Sequence, residues 1–242
     1  LIAFCEAPAD FSIASSLLDR VLCEDGPTWI ADLFDVAPET IRSWEGDGDG
    51  HAFWNLHRVG SYARRLLSRV PHGHFDGQPG AAGALMARTA FYIVRALLKR
   101  PNVGPVDGVI IVWDMDDQAK DRRTGLTQAR TEAERWKTFR IVLGCPDMMR
   151  EAWVLAGFDP LDQDERDRLD ELRRDLGFSP NEEAHLLTAK DEQARRSAKR
   201  VLRVLTDNDR DREARCWTDP ALDKLKERGK QSGLRDYLEE VK

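Results

Sequence analysis

The residues of this chain best suited to chemistry are carboxylates that cut off apolar runs. Val109-Ile110-Ile111-Val112-Trp113 stops at Asp114-Met115-Asp116-Asp117, with Asp114 and Asp116 spaced i, i+2. An apolar, β-branched run of this kind reads as a strand buried on both faces at the centre of a parallel sheet. Side chains alternate along a strand, so Asp114 and Asp116 are expected on one side of its C-terminal end. Open α/β sheets bind their ligands at those ends. Two like charges held together repel unless a cation lies between them, which points to a divalent metal. The competing structural reading is helix capping, because Asp often follows a strand and starts the next helix.

A second acidic pair opens the chain. Leu1 to Cys5 form a short apolar strand that ends in Glu6, and Asp10 follows at a helix start. Asp10 also suits an N-terminal cap. Glu6 is harder to assign to structure alone, since a carboxylate at a buried strand end is costly unless solvated or bound. Mg²⁺ or Mn²⁺ prefers oxygen ligands, and Glu6, Asp10, Asp114 and Asp116 supply them.

The order strand–Glu6-x3-Asp10–helix, then much later strand–Asp114-x-Asp116, resembles the Toprim domain of topoisomerases, DnaG-type primases and OLD-family nucleases. The Glu-x3-Asp form looks most like the OLD branch and the small stand-alone Toprim-like (RloB-like) proteins of bacterial defence loci. Ala7 stands where the family usually has Gly. A further strand candidate, Thr138 to Cys145, is followed by Pro146 and then Glu151-Ala152-Trp153, similar to a strand, proline and Glu-Ala-Trp-like segment of the stand-alone proteins. That likeness implies Glu151 as an extra acidic group near the metal. A first-turn helix Glu favoured by the macrodipole is the structural alternative.

The resemblance implies an α/β fold: a Toprim/Rossmann-like, mostly parallel sheet flanked by helices over residues 1–160. A helical insertion at about 38–100 and a helical C-terminal extension at 161–242, packed on the core, complete it. It implies a Mg²⁺- or Mn²⁺-dependent endonuclease acting on DNA or RNA, an effector of anti-phage defence with an ATPase partner encoded nearby. No ATPase motif occurs in this chain. Glu6, Asp114 and Asp116 would be catalytic. Carboxylates alone repel a phosphodiester, so cations must neutralise the transition state. Lys120 is the catalytic candidate, with Arg122 and Arg123 beside it as nucleic-acid contacts; all three are also compatible with a solvated helix start. On residues 190–206, Arg196, Lys199, Arg200 and Arg203 make a basic face opposite Ala194, Ala198, Val201, Leu202 and Leu205. Phosphate contact and a solvated face with Asp191 and Glu192 as neighbours are the two readings.

Two other function classes stay open. One is a Toprim-like module that binds nucleic acid or a partner without cutting, favoured by Ala7. The other is a sugar-nucleotide enzyme in which the Asp-x-Asp holds a metal–diphosphate, which leaves Glu6 and Asp10 unexplained. A haloacid-dehalogenase-type phosphatase is weaker, because Gln118 stands where its motif needs Thr or Val.

Composition bounds the rest. The net charge of −6 argues against indiscriminate coating of nucleic acid. It is unevenly spread: −8 over residues 1–60, +6 over 61–100, −7 over 101–189 and +3 over 190–242. No apolar run approaches the ~20 residues needed to span a bilayer, and no signal-peptide pattern is read. Cys5, Cys23, Cys145 and Cys216 show no zinc or redox spacing, and a reducing cytoplasm is expected. A chain that begins at Leu1 directly in a strand is expected to lack an initiator methionine.

Periodicity predicts helices at about 9–23, 52–70, 84–100 and 124–137, a short one from Pro38, and a strand at 138–144. Residues 28–36 read as an ambiguous strand. Helices are expected at 148–156, 162–176, 190–206, 209–216, 220–229 and 232–241. The loop Glu45-Gly46-Asp47-Gly48-Asp49-Gly50 fails the calcium-loop pattern, since Ala52 and Arg58 occupy the positions that need Gly and Glu. His72 and His74 lie in a glycine-rich loop with no third partner, and that loop reads as a turn rather than a phosphate cradle.

Overall fold

The computed structural model describes residues 1–71, 83–101, 103–116, 119–136 and 138–242. His72, His74, Asp117 and Gln118 lie outside the described residues. The chain divides into two compact units, one of residues 1–12 and 27–144, the other of residues 13–26 and 145–242. The division thus falls at 144/145 rather than at 160, and the later part of the first helix belongs with the second unit.

The first unit is α/β. Strands β1 (Ile2–Cys5), β2 (Trp54–Asn55), β3 (Gly108–Val112) and β4 (Arg140–Gly144) form one sheet in the order β2-β1-β3-β4. Every pairing is parallel. Helices can cover both faces of such a sheet, so its central strands are apolar throughout. All of β1 is buried, and so is β3 from Val109 to Val112. To the sheet this unit adds the start of α1 (Pro8–Asp25), then α2 (Thr28–Val36), α3 (Pro38–Ile41), α4 (Val59–Leu66), α5 (Ala84–Leu97) and α6 (Ala119–Glu134). Helix α5 packs on α6, and the fully buried Arg88 guanidinium grips Glu132 through two bonds of 2.7 Å.

Two expectations for this unit need correction. Residues 28–36 are the helix α2, because Trp29, Ile30, Leu33 and Phe34 recur at helical rather than strand spacing. Residues 52–70 are not one helix. Trp54 and Asn55 join the sheet as β2, a 3-10 turn follows at Leu56–Arg58, and α4 ends at Leu66. The stretch 38–100 therefore contributes a strand as well as helices.

The second unit is helical: the later part of α1, then α7 (Glu151–Ala156), α8 (Gln163–Leu176), α9 (Ala198–Thr206), α10 (Arg210–Thr218), α11 (Leu222–Arg228) and α12 (Leu234–Val241). Its centre is α7, whose residues are all buried. Trp153 donates its indole N–H to the Ser232 carbonyl (2.8 Å) and stacks on Tyr237, whose hydroxyl reaches the Ala14 carbonyl (2.8 Å). The helix expected over 190–206 begins only at Ala198. Ser197 caps it by accepting the Arg200 N–H, and a capping serine fixes where a helix starts. No helix among the described residues is long and apolar enough to cross a membrane.

Candidate functional site

Three neighbouring strands deliver polar groups to one edge of the sheet. Phe4 pairs with Ile111 and Cys5 with Asn55, so Glu6, Asp114 and the residues after β2 emerge side by side. The Asp114 backbone N–H donates to Glu6 Oε2 (3.3 Å). The Asn55 amide donates to the Glu6 carbonyl (3.0 Å), and its side-chain oxygen accepts the His57 N–H (2.9 Å). That cap starts the 3-10 turn and sets His57 Nε2 3.4 Å from Glu6 Oε1. In the first turn of α1, Asp10 accepts the Ala7 N–H at 2.8 Å. Asp10 thus performs the capping role open to it, closing back on Ala7.

Charge is unevenly satisfied here. Burial pushes the Glu6 carboxyl above its usual range, and the Asp10 charge pushes the same way. The Asp114 N–H, His57 and Arg122 oppose that rise without cancelling it. Glu6 is therefore a carboxylate that pays for its charge. Next to it in β1, burial and then the Asp10 charge raise the Cys5 thiol well above its normal value, so Cys5 stays a neutral core residue.

The Asp-x-Asp segment departs from strand geometry. β3 ends at Val112, and Asp116 sits in left-handed backbone with φ 48°. The strand alternation expected to place Asp114 and Asp116 on one side accordingly does not operate. What organises the segment is Arg122 of α6. Its Nη1 donates to the Asp114 carbonyl (2.5 Å) and lies 2.8 Å from Asp116 Oδ2. The guanidinium carbon stands 4.8 Å from the centre of the Trp113 ring. Against Trp113, Gly83 precedes α5 with φ 90°, and a Cβ there would come within 2.7 Å of the indole.

The donor chemistry suits a hard cation: Glu6, Asp10, Asp114 and Asp116 offer oxygen and no sulfur, as Mg²⁺ or Mn²⁺ requires. A cation already lies at Asp116, the Arg122 guanidinium. No group of three or more His, Cys, Asp or Glu side chains among the described residues is arranged to hold a metal. The residues suit such an ion in donor type but not in arrangement.

Most of the other expected residues have partners of their own. Lys120 is exposed, and Arg122 is the α6 cation that reaches the carboxylates. Lys120 and Arg123 line a shallow depression along α6 with Thr124, Thr127 and Thr131. Glu151 lies in the second unit, in the first turn of α7, where Arg150 bridges it (3.0 Å) to Glu213 (2.9 Å). Lys199 and Arg203 pair with Glu192 at 3.0 and 3.6 Å, Arg200 lies 3.9 Å from Asp175, and Arg196 rests over Phe178. In the acidic loop Asp47 is buried and accepts the Tyr62 hydroxyl (2.9 Å) and the Asp49 N–H (2.8 Å). That loop is a structural turn.

Asn55 and His57 escaped the sequence reading. Their only signal was a two-residue strand, which is too short to show periodicity. Comparison of the chain with protein-family models, curated proteins and solved structures finds no match.

Proposed function

We propose that this chain is a Mg²⁺- or Mn²⁺-dependent nuclease of Toprim type. The observation that carries the reading is the meeting of Glu6 and Asp114. They leave adjacent parallel strands at one sheet edge, and the half-buried Glu6 carboxylate accepts the Asp114 N–H. An edge of this kind is where α/β sheets act, and an under-compensated carboxylate favours a bound cation. Glu6, Asp10, Asp114 and Asp116 would hold the ion. When bound, it would polarise a phosphodiester and lower the pKa of a water. Arg122 supplies positive charge beside the scissile phosphate, and Asn55 holds the Glu6 backbone in place. The substrate is DNA or RNA, and the setting is anti-phage defence with an ATPase partner.

A second reading is a non-cutting Toprim-like binding module. It is favoured by the pairing of Asp116 with Arg122, which balances that carboxylate without a metal. Cleavage assays separate the two. The purified chain, alone and with an adjacently encoded ATPase, is incubated with Mg²⁺ or Mn²⁺ and with DNA, RNA or tRNA. The nuclease reading expects cleavage that Glu6→Ala and Asp116→Ala each abolish. Cleavage unaffected by Asp116→Ala removes this site from the mechanism, and metal binding without cleavage in the reconstituted complex favours the binding module.

A further inference from the structure

We infer that the C-terminal ends of α4 and α5 form a basic surface that holds single-stranded nucleic acid, apart from the acidic sheet edge and without need of a metal. Its first sign is a bias in the sequence. Residues 61–100 carry seven Lys and Arg against one Asp, in a chain of net charge −6. Arg88 is buried against Glu132, which leaves Arg64, Arg65, Arg69, Arg95, Lys99 and Arg100. Five of these six are exposed and Arg95 is half-buried. Helix α4 packs on α5, and a cleft of about 450 Å³ opens between the chain leaving α4 and the end of α5. Ser68, Arg69, Tyr92, Arg95 and Lys99 line it. Arg65 and Arg100 line a neighbouring depression with Glu45, and Leu66 borders both.

Ordinary structural roles cover only part of this charge. Arg64, Arg65 and Arg95 stand in the last turns of their helices, where the macrodipole favours cations. Arg65 also lies 3.6 Å from Asp49. Arg69, Lys99 and Arg100 lie past the helix ends and pair with no carboxylate among the described residues. Arg95 supplies what an acidic peptide or a lipid surface would not call for. Its guanidinium carbon stands 4.2 Å from the centre of the Trp136 ring and 5.9 Å from that of Tyr92. Bases stack on arginine planes and aromatic rings, and a cationic groove with such platforms is how proteins follow a single strand. The surface also lies away from Glu6. Glu45 of the neighbouring depression donates its N–H to the Leu1 carbonyl (2.9 Å) at the start of β1, whereas Glu6 follows the end of that strand. The inference therefore does not rest on the nuclease reading.

The test reads binding in EDTA, not turnover. Fluorescence anisotropy of labelled single-stranded DNA and RNA is followed across a salt series. The proteins are the wild type, the double variant Arg69→Gln with Lys99→Gln, and a charge-matched control, Arg210→Gln with Lys230→Gln, at exposed positions of the helical unit. Losing two phosphate contacts should weaken binding about tenfold and lessen the slope of log affinity on log salt by about 1.4. The control should keep both values. Unchanged affinity in the double variant, or an equal loss in the control, overturns the surface and leaves the nuclease reading untouched. Displacement of the strand by polyglutamate or by phosphatidylserine vesicles as readily as by unlabelled nucleic acid overturns the choice of ligand. A wild type that binds neither strand overturns the inference outright. Should the double variant fail to fold, the single variants decide, each with about half the change in slope.

Discussion

Gly83→Ala probes the floor of the site, because two separable costs meet at that position. The first is backbone. A residue with a Cβ at φ 90° is strained by about 1–2 kcal/mol. The second is contact. The new Cβ would lie 2.7 Å from Trp113 Cζ3, whereas carbon atoms sit comfortably at about 3.5–4.0 Å. The indole is rigid and must give way as a body, and overpacking of this kind costs about 1–3 kcal/mol. Gly50→Ala is the matched control, since Gly50 has φ 94° and a Cβ there would meet nothing within 4 Å. It carries the backbone cost alone.

The two variants should therefore differ by about 2 kcal/mol, the middle of the contact range. For a chain of this size that corresponds to roughly 4–8 °C in melting temperature. The measurement is a thermal melt of wild type, Gly50→Ala and Gly83→Ala in metal-free buffer. A Gly83→Ala protein that melts at or above Gly50→Ala refutes the claimed packing of Gly83 on Trp113.

Glu6→Gln should raise the melting temperature of metal-free protein at neutral pH. Because the folded-state pKa of Glu6 lies above the ordinary 4.5, its contribution is fully present below pH 4.5 and is lost as pH rises through the folded value. The gain from Glu6→Gln should thus be absent at about pH 4 and appear as pH climbs; an equal gain at both ends would disprove it. Glu165→Ala should destabilise the second unit by about 3–5 kcal/mol, because it strands the buried Arg212 guanidinium that Glu165 holds at 2.5 and 2.9 Å. A urea melt in which the loss stays below about 1 kcal/mol, the range of an exposed pair, would contradict this. Arg200→Ala removes an exposed cation 3.9 Å from Asp175 and should change stability by less than about 0.5 kcal/mol. If α9 contacts nucleic acid, the same variant should weaken binding across all sequences and flatten its salt dependence; an unchanged salt slope excludes Arg200 as a phosphate contact.

The parts of the fold that were legible are those where local pattern and tertiary role coincide. β1 and β3 are continuous apolar runs because a central parallel strand has no solvent face, and a carboxylate follows closely on the end of each. The elements misread are those whose identity is set from outside. Trp29, Ile30, Leu33 and Phe34 could be taken for a strand by composition, and only their spacing favours a helix. β2 is two residues long. Trp54 reaches the sheet edge because its ring packs on Phe4 and Tyr62 and its indole N–H donates to the Glu45 carbonyl at 3.0 Å. Those partners are scattered along the sequence, so no local pattern announces the strand.

At the site, the carboxylates could be read and their counter-charges could not. Strand ends are a local property, which is why Glu6 and Asp114 could be placed from the sequence. Lys120, Arg122 and Arg123 are equivalent candidates until the start of α6 and the left-handed turn at Asp116 decide which one faces inward. Arg122 does, with its guanidinium trapped between Trp113 and Asp116. That contact joins α6 to the segment after β3, a pairing that no local pattern in the sequence announces.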